Sequence, residues 1–319
     1  MRGRFAPSPT GYIHLGNVWT ALLCWLQVRQ AGGTFVLRIE DIDEQRAKKE
    51  FEDALVNDLQ WLGLSWDEGP DTGGPCAPYV QQRRYTLYDQ AIATLRRQGL
   101  LYPCYCSRAR LQVVGAPHAG EQAVYDGHCY TLTEKQRQAE QKTPSWRVHV
   151  PCETITFTDE VYGLQQEDLR RECGDFVVRR ADGMYAYQLA VSVDDGMMDI
   201  THVVRGRDLL SSTARQIWLL KLLGFTPPTY MHTPMLVDIA GHRLSKRQRG
   251  ITIRQLRNQG ASAAAILSYL AWCGHLVSQE RLYTLAELCH SCVLTRLCTE
   301  DIIIPEDVVD RIIRLSREK

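Results

Sequence analysis

Two short stretches of the sequence carry residue types that suit chemistry on a nucleotide. In the first, HLGN, His14, Gly16 and Asn17 stand between a strand-like run and a helix-like run. A glycine there lets a ligand come close to the backbone, and the first amides of a helix attract phosphate. Imidazole and amide groups can donate hydrogen bonds to phosphate oxygens. This turn therefore predicts half of an ATP site, with an ordinary structural turn as the alternative.

The second stretch, RLSKR, occupies residues 243–247 and supplies a hydroxyl and a cation. Ser245 and Lys246 lie in a loop rich in glycine and arginine, which suits the neutralisation of a departing pyrophosphate. Taken alone, such a loop is typical of a solvated surface. Together with the HLGN turn, it predicts an ATP site to which Mg²⁺ comes with the nucleotide. No sequence motif indicates a magnesium ion held by the protein itself.

Three cysteines predict a metal site. Cys104 and Cys106 form a C-x-C pair, and Cys129 follows in the run YDGHC. Zinc prefers four tetrahedral ligands, thiolates among them; the fourth here could be Tyr125, His128 or water. We expect one structural Zn²⁺ per chain, which would tie together a segment with little core of its own. Three reduced cysteines without a metal are the alternative.

The elements around these motifs alternate between strand-like and helix-like runs. The run TFVLRIEDID is continuously apolar and ends in acidic residues, as a buried strand does when it delivers carboxylates at its end. The order strand, helix, strand, helix predicts an α/β fold with a parallel sheet and right-handed crossovers. Ligands of such sheets bind beyond the carboxyl ends of the strands, where both HLGN and RIEDID fall.

The pattern changes along the chain predict four regions. Residues 1–100 form the first half of the α/β domain, and residues 101–168 form an insertion that carries the cysteines. Residues 169–250 form the second half of the α/β domain and include the RLSKR loop. Residues 251–319 are predicted to be mostly helical.

Composition limits the classes of protein that this chain can belong to. Its 319 residues include 37 basic and 37 acidic side chains, so net charge alone indicates no nucleic-acid partner. We find no apolar run of about 20 residues that would span a bilayer and no apolar signal segment. The sequence thus predicts a cytoplasmic protein that does not bind membranes and whose cysteines are reduced or hold metal.

The two nucleotide-directed stretches resemble a known pair. RFAPSPTGYIHLGN and HRLSKR are similar to the HIGH and KMSKS signatures of class I aminoacyl-tRNA synthetases, and RIEDID, YDGHC, VDD and THVVRG resemble segments of the glutamyl-tRNA synthetase group. The likeness spans about residues 2–275. In this chain Asn17 replaces the last histidine of HIGH, and Arg243 and Leu244 replace the first two residues of KMSKS. The resemblance implies a Rossmann-type catalytic domain with a zinc-containing insertion and a short helical C-terminal region.

The resemblance also implies the roles of individual residues. It implies that the catalytic residues are His14, Asn17 and Lys246, and that ATP is bound by His14, Gly16, Asn17, Ser245 and Lys246. Glutamate would be held by arginines that pair with carboxylates and by a carboxylate that pairs with its ammonium group. The matching positions are Arg4, Phe5, Ala6, Pro7, Ser8, Glu40, Tyr187 and Arg205. In the resembling enzymes the tyrosine of YDGHC is a zinc ligand, which implies the set Cys104, Cys106, Tyr125 and Cys129.

The sequence resembles most a truncated branch of this group, the glutamyl-Q tRNA(Asp) synthetases. Only about 70 residues follow LSKR, so we expect no anticodon-binding domain. The branch implies a monomeric ligase that activates L-glutamate with ATP without tRNA. It then transfers glutamate to queuosine at the wobble position of tRNA(Asp). The alternatives are a short glutamyl-tRNA synthetase that charges the 3′ end of tRNA(Glu), and a non-catalytic paralogue that binds glutamate or tRNA.

Overall fold

The computed structural model of the protein describes residues 1–107, 110, 124–244 and 251–318. Within these residues, every helix is too short or too polar to cross a membrane.

Strands of the described residues form three sheets. In chain order the strands are β1 (Arg2–Phe5), β2 (Thr34–Leu37), β3 (Leu101–Cys104), β4 (Ser145–Val148), β5 (Thr154–Asp159), β6 (Gly163–Asp168), β7 (Phe176–Arg179), β8 (His202–Gly206), β9 (Thr229–Thr233), β10 (Leu236–Val237) and β11 (Ile302–Ile303). The main sheet has the order β2-β1-β8-β9-β5-β6, and it is parallel except for the β5–β6 hairpin. The expected α/β class with a parallel sheet is therefore confirmed.

Helices cover both faces of the main sheet. In chain order they are α1 (Leu15–Gln30), α2 (Lys49–Leu62), α3 (Tyr85–Arg97), α4 (Glu134–Ala139), α5 (Leu169–Glu172), α6 (Tyr187–Met197), α7 (Thr213–Leu222), α8 (Ile253–Asn258), α9 (Ala263–Cys273), α10 (Leu285–Ser291) and α11 (Val308–Ser316). Short 3₁₀ helices span Gln81–Arg83, His128–Tyr130, Arg207–Ser212 and Leu294–Arg296.

Two apolar cores lie on opposite sides of the main sheet. Val203 and Val204 are neighbours in β8, and because alternate strand residues face opposite ways they belong to different cores. One core contains Trp19 of α1 and extends to the C-terminal helices, and the other contains Trp218 of α7. Helix α1 is apolar around most of its circumference, since it lies between the sheet and α9 and α10. The helix that follows HLGN is thus fixed on several sides.

The strands in the middle of the chain belong to different sheets from those that the sequence pattern predicts. Strands β5 and β6 lie within the range 101–168, which the sequence assigns to the insertion, but they extend the main sheet beside β9. The separate three-stranded sheet has the order β3-β4-β7, and its β7 comes from the range assigned to the second half of the α/β domain. Asp159 and Tyr230, which pair across β5 and β9, are far apart in sequence, so local periodicity carries no signal of this contact. The four regions with their bounds stay a prediction.

The C-terminal region contains a short strand as well as helices. β11 pairs in parallel with β10, with Leu236 opposite Ile302. This ladder attaches residues 302–303 to the chain that leads from β9 into the RLSKR stretch.

Candidate functional site

The HLGN turn begins helix α1 with a reciprocal capping arrangement. His14 is the N-cap, and its Nδ1 accepts a hydrogen bond from the backbone N–H of Gly16 at 3.1 Å. In return Oδ1 of Asn17 accepts from the backbone N–H of His14 at 3.2 Å. With Nδ1 used as an acceptor, the neutral imidazole carries its proton on Nε2. His14 and Asn17 therefore fix the helix start at the place where the sequence predicts phosphate binding.

Gly16 adds no side chain to the beginning of this helix. A Cβ atom at this position would lie 3.1 Å from Cε1 of His14, closer than an ordinary contact. The absence of a side chain avoids this contact with the imidazole, and a glycine lets an anion come closer to the first amides of α1 than a larger residue would.

The chain that follows the RLSKR stretch is hydrogen-bonded to the HLGN turn. The backbone N–H of Leu15 donates to the carbonyl of Ile251 at 3.3 Å, and that of Ile253 donates to the carbonyl of Ile13 at 3.1 Å. Two stretches about 230 residues apart in sequence thus meet near the start of α1. Ser245 and Lys246 themselves lie outside the described residues, so their roles stay predictions.

The first residues of the RLSKR stretch contact a different part of the domain from the residues that follow it. Arg243 pairs with Asp208 at 2.6 Å between Nη1 and Oδ2, and the backbone N–H of Leu244 donates to the carbonyl of Leu236. The described residues on both sides of 245–250 are therefore held by the same domain.

A buried network of charged side chains lies below the ends of β1 and β2. Arg38 is completely buried, and its guanidinium contacts Asp195 at 2.7 Å and Glu40 at 2.9 Å. Asp195 also accepts from Arg4 at 3.0 Å. Burial alone would raise the pKa of Asp195, but Arg4 and Arg38 together hold it below its usual range. Each of these charges offsets part of the cost of burying the others, so removing one would leave a buried charge short of a partner.

Helix α6 carries a second buried acid next to the first. Asp194 accepts from Arg84 at 2.6 Å, from Gln81 at 2.8 Å and from the hydroxyl of Tyr88 at 2.9 Å. The pair Asp194–Asp195 thus connects α6 to β1, β2 and the segment before α3. In the sequence analysis, VDD is only one of the segments that resemble the glutamyl-tRNA synthetase group, and no role is predicted for these acids or for Arg38. The sequence does contain a signal for this buried network: two adjacent acids lie inside an otherwise largely apolar helix, and acids are seldom buried without partners.

The stretch RFAPS runs beside RIE at the end of the sheet. The backbone N–H of Arg38 donates to the carbonyl of Phe5, and that of Glu40 donates to the carbonyl of Pro7, each at 3.0 Å. Phe5 and Pro7 are buried, Ala6 is half-buried and Ser8 is exposed. The backbone pairing therefore sets Glu40 next to residues 5–8.

Tyr187, the first residue of α6, lies within electrostatic reach of the other predicted glutamate contacts. Burial and, to a smaller extent, Glu40 raise the pKa of its hydroxyl to about 12, although Arg205 and Arg4 act in the opposite direction. Burial also raises the pKa of Glu40, which Arg38 and Arg4 partly offset. The structure brings Arg4, Glu40, Tyr187 and Arg205 together around the carboxyl ends of β1, β2 and β8.

Arg205 differs from Arg4, Arg38 and Arg84, the other buried arginines near it, in its partners. It is 4% exposed, and its guanidinium donates to Nε2 of His232, to Oε1 of Gln216 and to Oγ1 of Thr213. Among the described residues, no ion pair joins Arg205 to a carboxylate. By contrast Arg4, Arg38 and Arg84 each contact at least one carboxylate. A buried cation held only by neutral acceptors has electrostatic capacity for an anion.

The cysteines of the insertion form a compact cluster. The sulfur atoms of Cys104, Cys106 and Cys129 all lie within 4.8 Å of one another. Oη of Tyr125 lies 3.5 Å from the sulfur of Cys104 and 3.5 Å from that of Cys106, and the sulfurs of Cys106 and Cys129 are also 3.5 Å apart. His128 is exposed, and the described cluster does not include it.

Arg147 of β4 touches two members of this cluster. Its Nε donates to the sulfur of Cys104 at 3.3 Å, and its guanidinium lies 3.9 Å from the ring centroid of Tyr125. Burial by itself would raise the pKa of Cys104, but hydrogen bonds from Tyr125 and Arg147 lower it overall. Burial raises the pKa of Cys106 to about 11. The protein thus supplies a positive charge beside a group of thiols, as an anionic metal–thiolate site requires.

Comparison with known proteins decides the family. A family model described as the catalytic domain of class I tRNA synthetases (E and Q) matches residues 1–306. The chain belongs to this family. It is a ligase of the aminoacyl-tRNA synthetase type, as the two signature stretches predict.

Relatives within the family differ in length. A glutamyl-Q tRNA(Asp) synthetase of Nitratidesulfovibrio vulgaris is 46% identical over 98% of this chain and 98% of its own length. A glutamate–tRNA ligase 2 of Acidithiobacillus ferrooxidans is 45% identical over 86% of this chain, but over only 58% of its own length. A crystal structure of a glutamate tRNA ligase from Elizabethkingia meningosepticum in complex with its amino acid superposes with a TM-score of 0.83. That structure is 27% identical and matches 97% of this chain and 68% of its own. The resemblance to the glutamyl-Q tRNA(Asp) synthetases is therefore confirmed.

We expect the protein to lose much of its stability when Arg38, the central cation of the buried network, is removed. Replacing Arg38 with methionine should lower the free energy of unfolding by about 3–5 kcal/mol, because Glu40 and Asp195 would be left buried with fewer partners. Urea unfolding followed by circular dichroism measures this change. Lys49→Met is the control, since the exposed Lys49–Glu52 pair should contribute less than about 1 kcal/mol. Equal effects of the two substitutions would contradict the stabilising role of the network.

Proposed function

We propose that this protein activates L-glutamate with ATP in the absence of tRNA and transfers the glutamyl group to queuosine at the wobble position of tRNA(Asp). The observation that carries the activation half is the buried Arg205, which has only neutral partners among the described residues and lies near Glu40 and Tyr187. The transfer half is supported by the relative of that name, which matches along nearly its whole length.

In this proposal Arg205 receives the side-chain carboxylate of glutamate. A two-point contact between guanidinium and carboxylate would complete the charge balance that the protein leaves open. Glu40 pairs with the substrate ammonium, the hydroxyl of Tyr187 adds a hydrogen bond, and Arg4 adds positive potential. Backbone and side-chain atoms of residues 5–8 line the same space. Glutamine would leave the buried cation unpaired, so it should be a poor substrate.

ATP would bind across the start of α1. His14, Gly16 and Asn17 surround the first turn of the helix, whose amides favour phosphate. Ser245 and Lys246, whose roles rest on the sequence, would act on the phosphates, and Mg²⁺ would accompany ATP. An oxygen of the α-carboxylate attacks the α-phosphorus, a new C–O–P linkage forms, and the bond to the β-phosphate breaks to release pyrophosphate. The protein contributes positioning and electrostatic stabilisation, and no side chain becomes covalently attached.

A second candidate is a short glutamyl-tRNA synthetase that charges the 3′ end of tRNA(Glu). The glutamate–tRNA ligase from A. ferrooxidans favours it, because its identity of 45% is close to that of the first relative. The two candidates share the activation step and differ in the atom that receives glutamate.

Acceptor RNA separates the two candidates. We expect labelled glutamate to enter tRNA(Asp) that contains queuosine, also when the 3′-terminal adenosine has been removed, and not tRNA(Asp) without queuosine. Nuclease mapping should place the label in the anticodon-loop fragment. Labelling that depends on the terminal adenosine would favour the second candidate. ATP–pyrophosphate exchange should proceed without tRNA, and its absence under all conditions would indicate a non-catalytic paralogue.

Substitution of Arg205 tests the glutamate site. Arg205→Leu should raise the KM for glutamate in pyrophosphate exchange by on the order of 10²-fold or more, because a charge-assisted contact to a buried carboxylate is lost. The KM for ATP should stay near that of the wild type. Arg207→Leu is the matched control, since Arg207 makes an exposed pair with Asp301. An unchanged KM for glutamate in the Arg205 variant would remove this residue from the site.

We also propose that Cys104, Cys106, Tyr125 and Cys129 bind one structural Zn²⁺. With Zn–S of 2.3 Å and Zn–O near 2.0 Å, a tetrahedral site places sulfur and oxygen ligands about 3.5 Å apart. The distances from Oη of Tyr125 to the sulfurs of Cys104 and Cys106 are both 3.5 Å. The metal would connect β3 to the 3₁₀ helix His128–Tyr130, and β3 belongs to a different sheet from the strands that carry Arg4 and Arg205.

Removal of one thiolate should therefore separate metal binding from activation. We expect Cys106→Ser to lose the zinc that elemental analysis finds in the wild type, while pyrophosphate exchange is largely retained. Cys152→Ser is the control, because Cys152 is exposed and lies outside the cluster. Less than about half an equivalent of zinc in freshly purified wild-type protein would contradict the site.

A further inference from the structure

Beside Arg205, at the paired position of the neighbouring strand β9, begins a buried histidine–carboxylate pair. His232 is in β9 and Asp159 ends β5, and both side chains are fully buried. Oδ2 of Asp159 lies 2.6 Å from Nδ1 of His232 and also accepts from the backbone N–H of His232 at 3.0 Å. Oδ1 of Asp159 accepts from the backbone N–H groups of Val161 and Tyr162. The carboxylate is thus fixed by the turn between β5 and β6.

This contact determines which nitrogen of His232 carries the proton. A carboxylate accepts, so Nδ1 donates to Asp159, and the neutral ring presents a lone pair at Nε2. Nε of Arg205 donates to that lone pair at 3.0 Å. The hydroxyl of Thr213 lies 3.3 Å from the same Nε2 atom. Hydrogen bonds therefore run in one direction, from Arg205 to His232 to Asp159.

We propose that His232, oriented by Asp159, is a positioning residue that holds the guanidinium of Arg205 in the orientation that receives the side-chain carboxylate of the amino-acid substrate. The inference rests on the proposed function, in which Arg205 is the receptor of that carboxylate. His232 accepts from Nε, while Gln216 and Thr213 each accept from one of the two terminal nitrogens. A neutral acceptor suits this task, because it orients the cation without neutralising the charge that attracts the substrate.

His232 can accept the hydrogen bond from Arg205 only in its neutral form, and the charged groups around it affect its protonation. Asp159 faces it from β5, Arg205 from β8 and Asp208 from the 3₁₀ helix Arg207–Ser212. Burial lowers the pKa of His232 below its ordinary value of 6.5, Asp159 opposes this shift, and Arg205 adds to it. Above pH 6.5 the ring is neutral and Arg205 is held. As the pH falls through the lowered pKa, Nε2 gains a proton that faces the N–H of Arg205, so glutamate binding should weaken.

Two substitutions of His232 separate positioning from a purely structural role. Glutamine can offer Oε1 near the place of Nε2, whereas leucine offers no acceptor. In pyrophosphate exchange we expect His232→Leu to raise the KM for glutamate at least tenfold, with the KM for ATP within about twofold of the wild type. His232→Gln should restore the KM for glutamate to within about threefold. Equal KM values for glutamate in the leucine variant and the wild type would overturn the inference.

The pH profile supplies a readout that a general loss of packing would not change. Between pH 5 and 8 the KM for glutamate should rise toward low pH more steeply in the wild type than in His232→Gln, because the amide does not titrate whereas Glu40 is present in both. Coincident profiles would overturn the inference, and this comparison decides the matter if the leucine variant does not fold. A normal KM for glutamate in Arg205→Leu would instead overturn the proposed site. A raised KM in that variant with a normal KM in His232→Leu would overturn the positioning role alone.

Discussion

Charge burial is the constraint on which the rest of this structure depends. Arg38 sits where no water can reach it, and a charge in that position is stable only if opposite charges contact it directly. Those contacts come from Glu40 on the continuation of β2 and from the Asp194–Asp195 pair on α6. The positions of the first two strands and of α6 are therefore coupled through a few hydrogen bonds as well as through apolar packing. A displacement of α6 would uncover several charges at once.

Within this constraint the site has an uneven distribution of charge. Three buried arginines are compensated by carboxylates of the protein, while Arg205 has neutral acceptors among the described residues. The compensated arginines build the frame, and in the proposed function Arg205 provides the attraction for an anionic group. Since both kinds lie in the same apolar surroundings, their different roles follow from partners rather than from burial. The same distinction explains why the exposed fraction of these side chains says little about their function.

The sequence predicted the parts of the molecule whose signals are local. The strand, turn and helix around HLGN, the parallel α/β class and the grouping of Cys104, Cys106 and Cys129 all follow from spacing and residue type over short distances. It did not predict that β5 and β6 join the main sheet, nor the partners of Asp194, Asp195 and His232. Those features depend on pairings between residues that are distant in the chain, which periodicity does not encode. For Ser245 and Lys246 the sequence remains the source of their proposed roles.

The hydrogen bonds between residues 13–15 and 251–253 have a consequence for the order in which the molecule forms. The turn that begins α1 is synthesised before its backbone partners, which come more than 230 residues later in the chain. Closing such a long loop is entropically costly and tends to occur late in folding. In a nascent chain the surroundings of this helix start would therefore remain incomplete until residues 251–253 have been made. If the start of α1 binds ATP as proposed, nucleotide affinity should arise abruptly, once α8 has docked, rather than grow in step with chain length.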